Sequence, residues 1–172
     1  LGTPALMFVV AIFLFFCAGT RIRYLLGIGA AALPLLVYEV VRYPYRLKRL
    51  TSFLDPMQNA QGAGYQLSQS FIAIGSGGWF GKGIGASQIK LLFLPAPHTD
   101  FIFSVICEEL GFVRAFAIVL AFCFILWRGI RISRNADNFF DSLAALGITL
   151  TLSLQAFLNM AMSLGLIPTK GL

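Results

Sequence analysis

Long apolar segments are the feature that most constrains what this chain of 172 residues can fold into. A bilayer core about 30 Å thick needs about 20 largely apolar residues for each helical crossing. Only 12% of the residues are charged, compared with about 25% in soluble domains. The sequence therefore predicts an all-α integral membrane protein and excludes a soluble globular domain. Four apolar segments are predicted spans of one helical bundle: 4–19, 22–41, 101–127 and 139–167.

Two groups of arginines indicate how these spans are oriented. They follow the first and the third span: Arg21 and Arg23, then Arg128, Arg131 and Arg134. Two crossings separate the groups, so both lie on the same side, and short basic loops mark the cytoplasmic face. Residues 42–99 are then extracytoplasmic. The basic residues within 42–99 argue the opposite way, but long loops cross the membrane with less regard to their charge.

We expect a single membrane domain over 1–172, in which loops and spans alternate. The segments are two spans within 4–41, an extracytoplasmic loop at 42–99, a span at 100–127, a cytoplasmic loop at 128–138 and a span at 139–168. Within the long loop, Leu67, Phe71 and Ile74 recur at helical spacing, which predicts a short interfacial helix over Tyr65–Ile74. No signal peptide opens the chain, and both ends are expected to be cuts within a longer protein.

A run of glycines over 75–85 surrounds Lys82. It is not a phosphate-binding P-loop, because Gly83 follows Lys82 where that motif needs Ser or Thr. It is not a dinucleotide site either, because no buried strand precedes it. Two interpretations stay open: a tight turn between helices, or a backbone that closely approaches a pyrophosphate.

Ionisable residues surround the start of the third span. Asp100 is either a helix N-terminal acid or a functional carboxylate. Glu108 and Glu109 lie deeper in the same span, where charges mark either a functional cavity or a structural pair, for example with Arg114. His98 is the only histidine, which leaves too few ligands for a zinc site. The cysteines are apolar packing residues: Cys17, Cys107 and Cys123.

Several ordered motifs resemble the SEDS family (shape, elongation, division and sporulation) of FtsW and RodA. They are YRLKRLTSFLDP, GAGYQLSQSFIAIGSGGWFGKGIG, LPAPHTDFIFSVICEELGFV and NMAMSLGLIPTKGL, and the resemblance extends over essentially the whole chain. The closing PTKGL favours the FtsW branch. Cys107 and Arg114 depart from the pattern, since small residues are expected at both positions, so helix packing there is in question.

The resemblance implies a peptidoglycan glycosyltransferase that polymerises lipid II and releases undecaprenyl pyrophosphate. The aspartate of HTDFIF, Asp100 here, is the implied catalytic base. Around it, nine residues are candidates for binding the substrate: Arg46, Arg49, Gln69, Ser76, Lys82, Lys90, His98, Glu108 and Glu109. No metal ligand is assigned, no cofactor is certain, and a divalent cation beside the pyrophosphate is left open.

Partners and location follow from the same resemblance. The implied partners are a class B penicillin-binding protein, which is a transpeptidase, and other division proteins, with no role for nucleic acid. The implied site of action is the division septum of the bacterial inner membrane. Two other functions stay open: a lipid II flippase, which also needs charges in a membrane cavity, and a non-catalytic scaffold.

Overall fold

The structure, a computed structural model, describes residues 2–42, 63–85 and 101–167. Five helices and no strands lie within these ranges, so the all-α prediction is confirmed for the described part of the chain. In order, the helices are α1 (Gly2–Cys17), α2 (Ile22–Arg42), α3 (Ala63–Gly77), α4 (Ile102–Arg134) and α5 (Phe139–Ser163).

Two of these helices, α4 and α5, are long and apolar enough to cross a membrane. Only 11% and 22% of their most apolar stretches are buried inside the protein, so they differ from the core helices of soluble proteins and expose apolar surface suited to lipid. The other apolar helices, Thr3–Cys17 and Ile22–Pro34, are shorter. A count of four spans therefore stays a prediction.

The boundaries of α4 and α5 differ from the predicted ones. Residues 128–134 of the predicted cytoplasmic loop at 128–138 are helical, because α4 continues to Arg134, and the cytoplasmic position of this segment stays a prediction. Arginines end the apolar surface, but they do not end a helix, since they have good helix propensity and their side chains reach water. The connection is 135–138 instead. At the other end, α5 stops at Ser163, short of the predicted 168.

The long predicted loop at 42–99 contains α3 among its described residues. This helix includes the whole of the predicted Tyr65–Ile74 segment and extends it at both ends, so that helix is confirmed. Its interfacial position stays a prediction.

The chain divides into two compact units. Unit 1 comprises Leu1–Leu47 and Phe122–Gln155. Within it, Leu14 of α1 lies against Gly147 of α5, and Ser133 of α4 donates a hydrogen bond to the carbonyl of Ser142 in α5 (2.8 Å). The end of α1, the end of α4 and the start of α5 thus lie at one end of unit 1. Five arginines and two aspartates lie in or next to these helix ends: Arg21, Arg23, Arg128, Arg131, Arg134, Asp137 and Asp141.

Unit 2 comprises Lys48–Ala121 and Ala156–Leu172. Its core contains Leu67 and Ala73 of α3 together with Phe101, which directly precedes α4. The Ser70 hydroxyl is buried and donates to the carbonyl of Ser163 at the end of α5 (2.6 Å). Helix α3 is therefore fastened to both the start of α4 and the end of α5.

Candidate functional site

Helix α4 is interrupted at Gly111, in the part of the helix that belongs to unit 2. Gly111 has φ 79° and ψ 175°, a conformation that side chains with a Cβ rarely adopt. The interruption comes nine residues after Ile102, which corresponds to about 14 Å of helix. Four backbone groups around it lose their usual partners within the helix: the carbonyls of residues 108 and 109 and the amides of residues 112 and 113.

The loop after α3 satisfies all four of these groups. We call this loop, residues 78–83, the glycine plug. The hydrogen bonds run in both directions: Lys82 N to Glu108 O (3.0 Å), Gly83 N to Glu109 O (3.1 Å), Phe112 N to Gly78 O (2.9 Å) and Val113 N to Trp79 O (3.3 Å). An unsatisfied backbone group costs several kcal/mol in lipid, so the plug is what allows an apolar helix to be interrupted here.

Close approach of the two backbones requires glycine on both sides. A Cβ at Gly81 would overlap the carbonyl of Glu109, and a Cβ at Gly111 would overlap the backbone of Phe80 and Gly81. Gly81 also has a positive φ of 83°. Trp79 adds a side-chain contact, with its ring edge-on to Phe112 at 5.5 Å between centroids.

An ion pair joins the plug to α4. Lys82 Nζ lies 2.9 Å from Glu108 Oε1. Glu108 is 1% exposed and the Lys82 side chain is 35% exposed, so the pair lies at the edge of the buried part of the site. The hydroxyl of Ser76 lies 3.4 Å from Glu108 Oε1, but its shorter hydrogen bond is donated to the carbonyl of Ala73 (3.0 Å). Lys82 was a candidate for binding the substrate; in the structure, Glu108 offsets its charge within the protein.

Glu109 and Arg114 behave differently from Glu108. Glu109 Oε1 is buried and has no hydrogen-bond partner within the described residues, so it keeps acceptor capacity for a ligand. Arg114 is exposed. The ion pair that the described residues show for Glu108 is with Lys82, and a pairing of Arg114 with Glu108 or Glu109 stays a prediction. Within residues 2–42, 63–85 and 101–167, no group of three or more His, Cys, Asp or Glu side chains could hold a metal ion.

The structure brings together only some of the predicted site residues. Ser76, Lys82 and Glu108 are in contact, and Glu109 follows in the same helix. Gln69 lies in α3, partly exposed. The other five candidates lie outside the described residues: Arg46, Arg49, Lys90, His98 and Asp100. Asp100 is, however, the immediate neighbour of Phe101, which is 3% exposed in the core of unit 2.

Sequence reasoning missed the roles of Gly81 and Gly111. Gly81 lies in the loop after α3, so the four-residue glycine spacing of packed membrane helices does not describe it. The glycine run was treated as a turn or a pyrophosphate site, and α4 as continuous, so the contact between the two regions was not predicted.

Comparison with known proteins adds the family. The family model for cell cycle proteins of the FtsW, RodA and SpoVE type matches residues 1–172. A protein of Geobacter sp. (strain M18) named probable peptidoglycan glycosyltransferase FtsW is 45% identical, covering 100% of this chain and 47% of the relative. A protein of the same name from Alkalilimnicola ehrlichii is 46% identical over 99% of this chain and 43% of the relative.

A third relative has a different name. Stage V sporulation protein E of Bacillus subtilis (strain 168) is 42% identical, covering 100% of this chain and 47% of the relative. The chain thus spans about half the length of the curated relatives it matches. The apolar helices α4 and α5 and the family match together indicate an integral membrane protein. The chain belongs to the FtsW, RodA and SpoVE family of cell cycle proteins.

Proposed function

We propose that the protein to which this chain belongs is a peptidoglycan glycosyltransferase that polymerises lipid II during cell division. The observation that carries the proposal is the family match over the whole chain, with relatives named probable peptidoglycan glycosyltransferase FtsW. The HTDFIF and EELGF motifs support it, because they put carboxylates at the start of a spanning helix. A carboxylate there can meet a sugar in water while a polyprenyl chain stays in lipid.

The proposed base is Asp100. Its carboxylate removes the proton from the 4-hydroxyl of the acceptor sugar, and that oxygen attacks the anomeric carbon of the donor. The bond between this carbon and the pyrophosphate breaks, and undecaprenyl pyrophosphate leaves with the bonding electrons. Attack from the opposite face inverts the carbon, so an α-linked pyrophosphate becomes a β-glycosidic bond.

Binding residues are proposed around this base. Arg46, Arg49 and Lys90 offset the charge of the pyrophosphate, as phosphate sites require. Glu109 supports a role in sugar binding, because its buried Oε1 is an acceptor that a substrate hydroxyl or amide could satisfy. Gln69, Ser76 and His98 complete the proposed subsites, and a divalent cation near the pyrophosphate is part of the proposal without assigned ligands.

The proposed topology has four spans, with the basic end of unit 1 in the cytoplasm. The five arginines at that end against two aspartates support this orientation through the preference of basic residues for the cytoplasmic side. Helix α4 then crosses to the outer face, where Asp100 precedes it. The proposed partner is a class B penicillin-binding protein, and the proposed location is the septum of the inner membrane.

The direct test is a polymerisation assay with the full-length protein and purified lipid II, with and without its transpeptidase partner. Glycan polymer is separated on a gel, and lipid II binding is measured in parallel. Asp100→Asn is expected to abolish polymer and to keep lipid II binding, because the amide cannot act as a base. A mutant that polymerises normally would rule out Asp100 as the base.

A lipid II flippase is the alternative, since charges at membrane depth such as Glu108 also suit a transport cavity. It predicts movement of lipid II between leaflets of a vesicle without polymer formation. Polymer formed by the purified protein in detergent, where no leaflets exist, would favour the transferase.

A further inference from the structure

The interruption at Gly111 leaves a short piece of α4, Ile102–Leu110, whose direction is not set by helix continuity. A continuous helix of 33 residues would orient its own start. Here the backbone turns at Gly111 with φ 79°, so contacts with other elements must hold the first piece in place. Asp100 precedes this piece by two residues, so its reach depends on where Ile102–Leu110 points.

Two sets of contacts hold that piece. At its beginning, Phe101 packs with Leu67 and Ala73 of α3, and the buried hydroxyl of Ser104 donates to the Phe101 carbonyl (2.6 Å). At its end, the glycine plug binds the carbonyls of residues 108 and 109. The plug continues directly from α3, so a single element supports the piece at both of its ends.

Two side-chain contacts add to the backbone hydrogen bonds between the plug and α4. One is the ring contact between Trp79 and Phe112, and Trp79 is 67% exposed. The other is the bond between Lys82 Nζ and Glu108 Oε1, at 2.9 Å. Lys82 and Glu108 are thus joined twice, once through their side chains and once through the backbone bond from Lys82 N to Glu108 O. The side-chain bond therefore stabilises the position of the plug against α4 at that point.

We propose that Lys82 and Glu108 are positioning residues: their ion pair keeps the glycine plug seated in the interruption of α4, and the seated plug fixes the direction of Ile102–Leu110 and so of the adjoining Asp100. The inference rests on the proposed transferase. It assigns Lys82 a role through Glu108, in place of direct contact with the pyrophosphate.

The test uses the full-length protein and two measurements on each variant. Hydrogen exchange followed by mass spectrometry reports whether the amides of residues 82, 83, 112 and 113 are protected. Polymerisation kinetics with purified lipid II give kcat and KM separately. The variants are Lys82→Met, which removes the charge but keeps the length, Lys82→Arg, which keeps the charge, and Glu108→Gln. Arg114→Gln is the control, because it removes an exposed charge three residues beyond the interruption.

Lys82→Met is expected to lose protection at these amides and to lower kcat by about 100-fold, the size of effect expected when a reacting group is misplaced by about 1 Å. KM should change little, because a positioning residue does not bind substrate. Glu108→Gln should show the same pattern, more weakly. Lys82→Arg should restore both readouts, and Arg114→Gln should leave both unchanged.

Two results would overturn the inference. One is a raised KM in Lys82→Met with unchanged kcat and unchanged protection, which would make Lys82 a substrate ligand. The other is lost protection without any change in kcat, which would make the pair purely structural. If the wild-type protein forms no polymer at all, the proposed function fails and the positioning role fails with it, while the exchange pattern still decides whether the ion pair seats the plug.

Discussion

The two parts of α4 differ more from each other than their sequences suggest. Up to Ala121 the helix belongs to unit 2, where Glu108 is 1% exposed, Ser104 is fully buried and the backbone is interrupted. From Phe122 it belongs to unit 1, where Phe124 and Trp127 are 59% and 54% exposed. Both parts are strongly apolar. In this helix, hydrophobicity locates the span, while buried polar residues and glycines locate the part that contacts other elements.

Gly111→Ala should produce the largest loss of stability, because it changes the residue at which α4 is interrupted. The new Cβ would meet the backbone of Phe80 and Gly81 at a positive φ, and the backbone cannot move without breaking hydrogen bonds to the plug. We expect the free energy of unfolding to fall by about 3 kcal/mol or more, measured by SDS titration in mixed micelles.

Gly75→Ala is the matched control for that change. Gly75 lies in α3, and a Cβ there would meet nothing within 4 Å. The free energy of unfolding of this variant should rise by about 0.5–1 kcal/mol, because alanine is the better helix former. Equal losses at positions 75 and 111 would show that the fit between plug and helix is not the cause.

Lys82→Met should have the next largest effect on stability. It removes the ammonium group bonded to the buried Glu108 carboxylate, and loss of one partner of a fully buried pair costs about 3–5 kcal/mol. Since Lys82 is 35% exposed, water screens its charge, and we expect about 2 kcal/mol. Arg114→Met, at an exposed charge in the same helix, should stay within about 0.5 kcal/mol. A loss no greater than that of Arg114→Met would mean that the pair does not seat the plug.

Gly129→Ala tests the other part of α4 and should cost less. A Cβ there would overlap the side chain of Thr149 in α5, including its Cβ at 2.7 Å. Rotation of Thr149 does not move that atom, so α4 and α5 must separate slightly, whereas at Gly111 the obstacle is the backbone of the plug itself. We expect a loss of about 1 kcal/mol, at the low end for overpacking. Gly27→Ala in α2, where a Cβ would meet nothing within 4 Å, should show no loss.

Phe124→Ala should have the smallest effect. Its side chain is 59% exposed. An apolar side chain that faces lipid adds little to the free energy of unfolding, because lipid tails are as apolar as the side chain itself. The change in the free energy of unfolding should be below about 0.5 kcal/mol. A loss above about 2 kcal/mol would show that another part of the protein covers this face.

The sequence predicted the elements well because a single local property determines them. Apolar runs gave α1, α2, α4 and α5, and helical spacing gave α3. The end of α4 was placed too early, since the uninterrupted apolar run ends at Trp127 while the helix continues to Arg134. Hydrophobicity measures the surroundings of a helix and not its hydrogen bonds.

The interior of the candidate site was less predictable, because it depends on pairs that are far apart in the chain. Lys82 and Glu108 are separated by 26 residues, and no local pattern links them. Gly111 sits in the run EELGFV, and glycine is frequent in continuous membrane helices, so its positive φ leaves no mark in the sequence. Glu108 and Glu109 were recognised as candidate site residues, but Lys82 was predicted to bind the substrate and not a carboxylate of the same chain.

Polymerisation of purified lipid II by the full-length Asp100→Asn variant decides whether Asp100 is the catalytic base of a glycosyltransferase. Wild-type protein with the proposed transpeptidase partner should make glycan polymer, while the variant should lose at least about 100-fold of that rate, as expected for a general base, and should bind lipid II as before. Polymer formed by the variant at the wild-type rate would contradict that role.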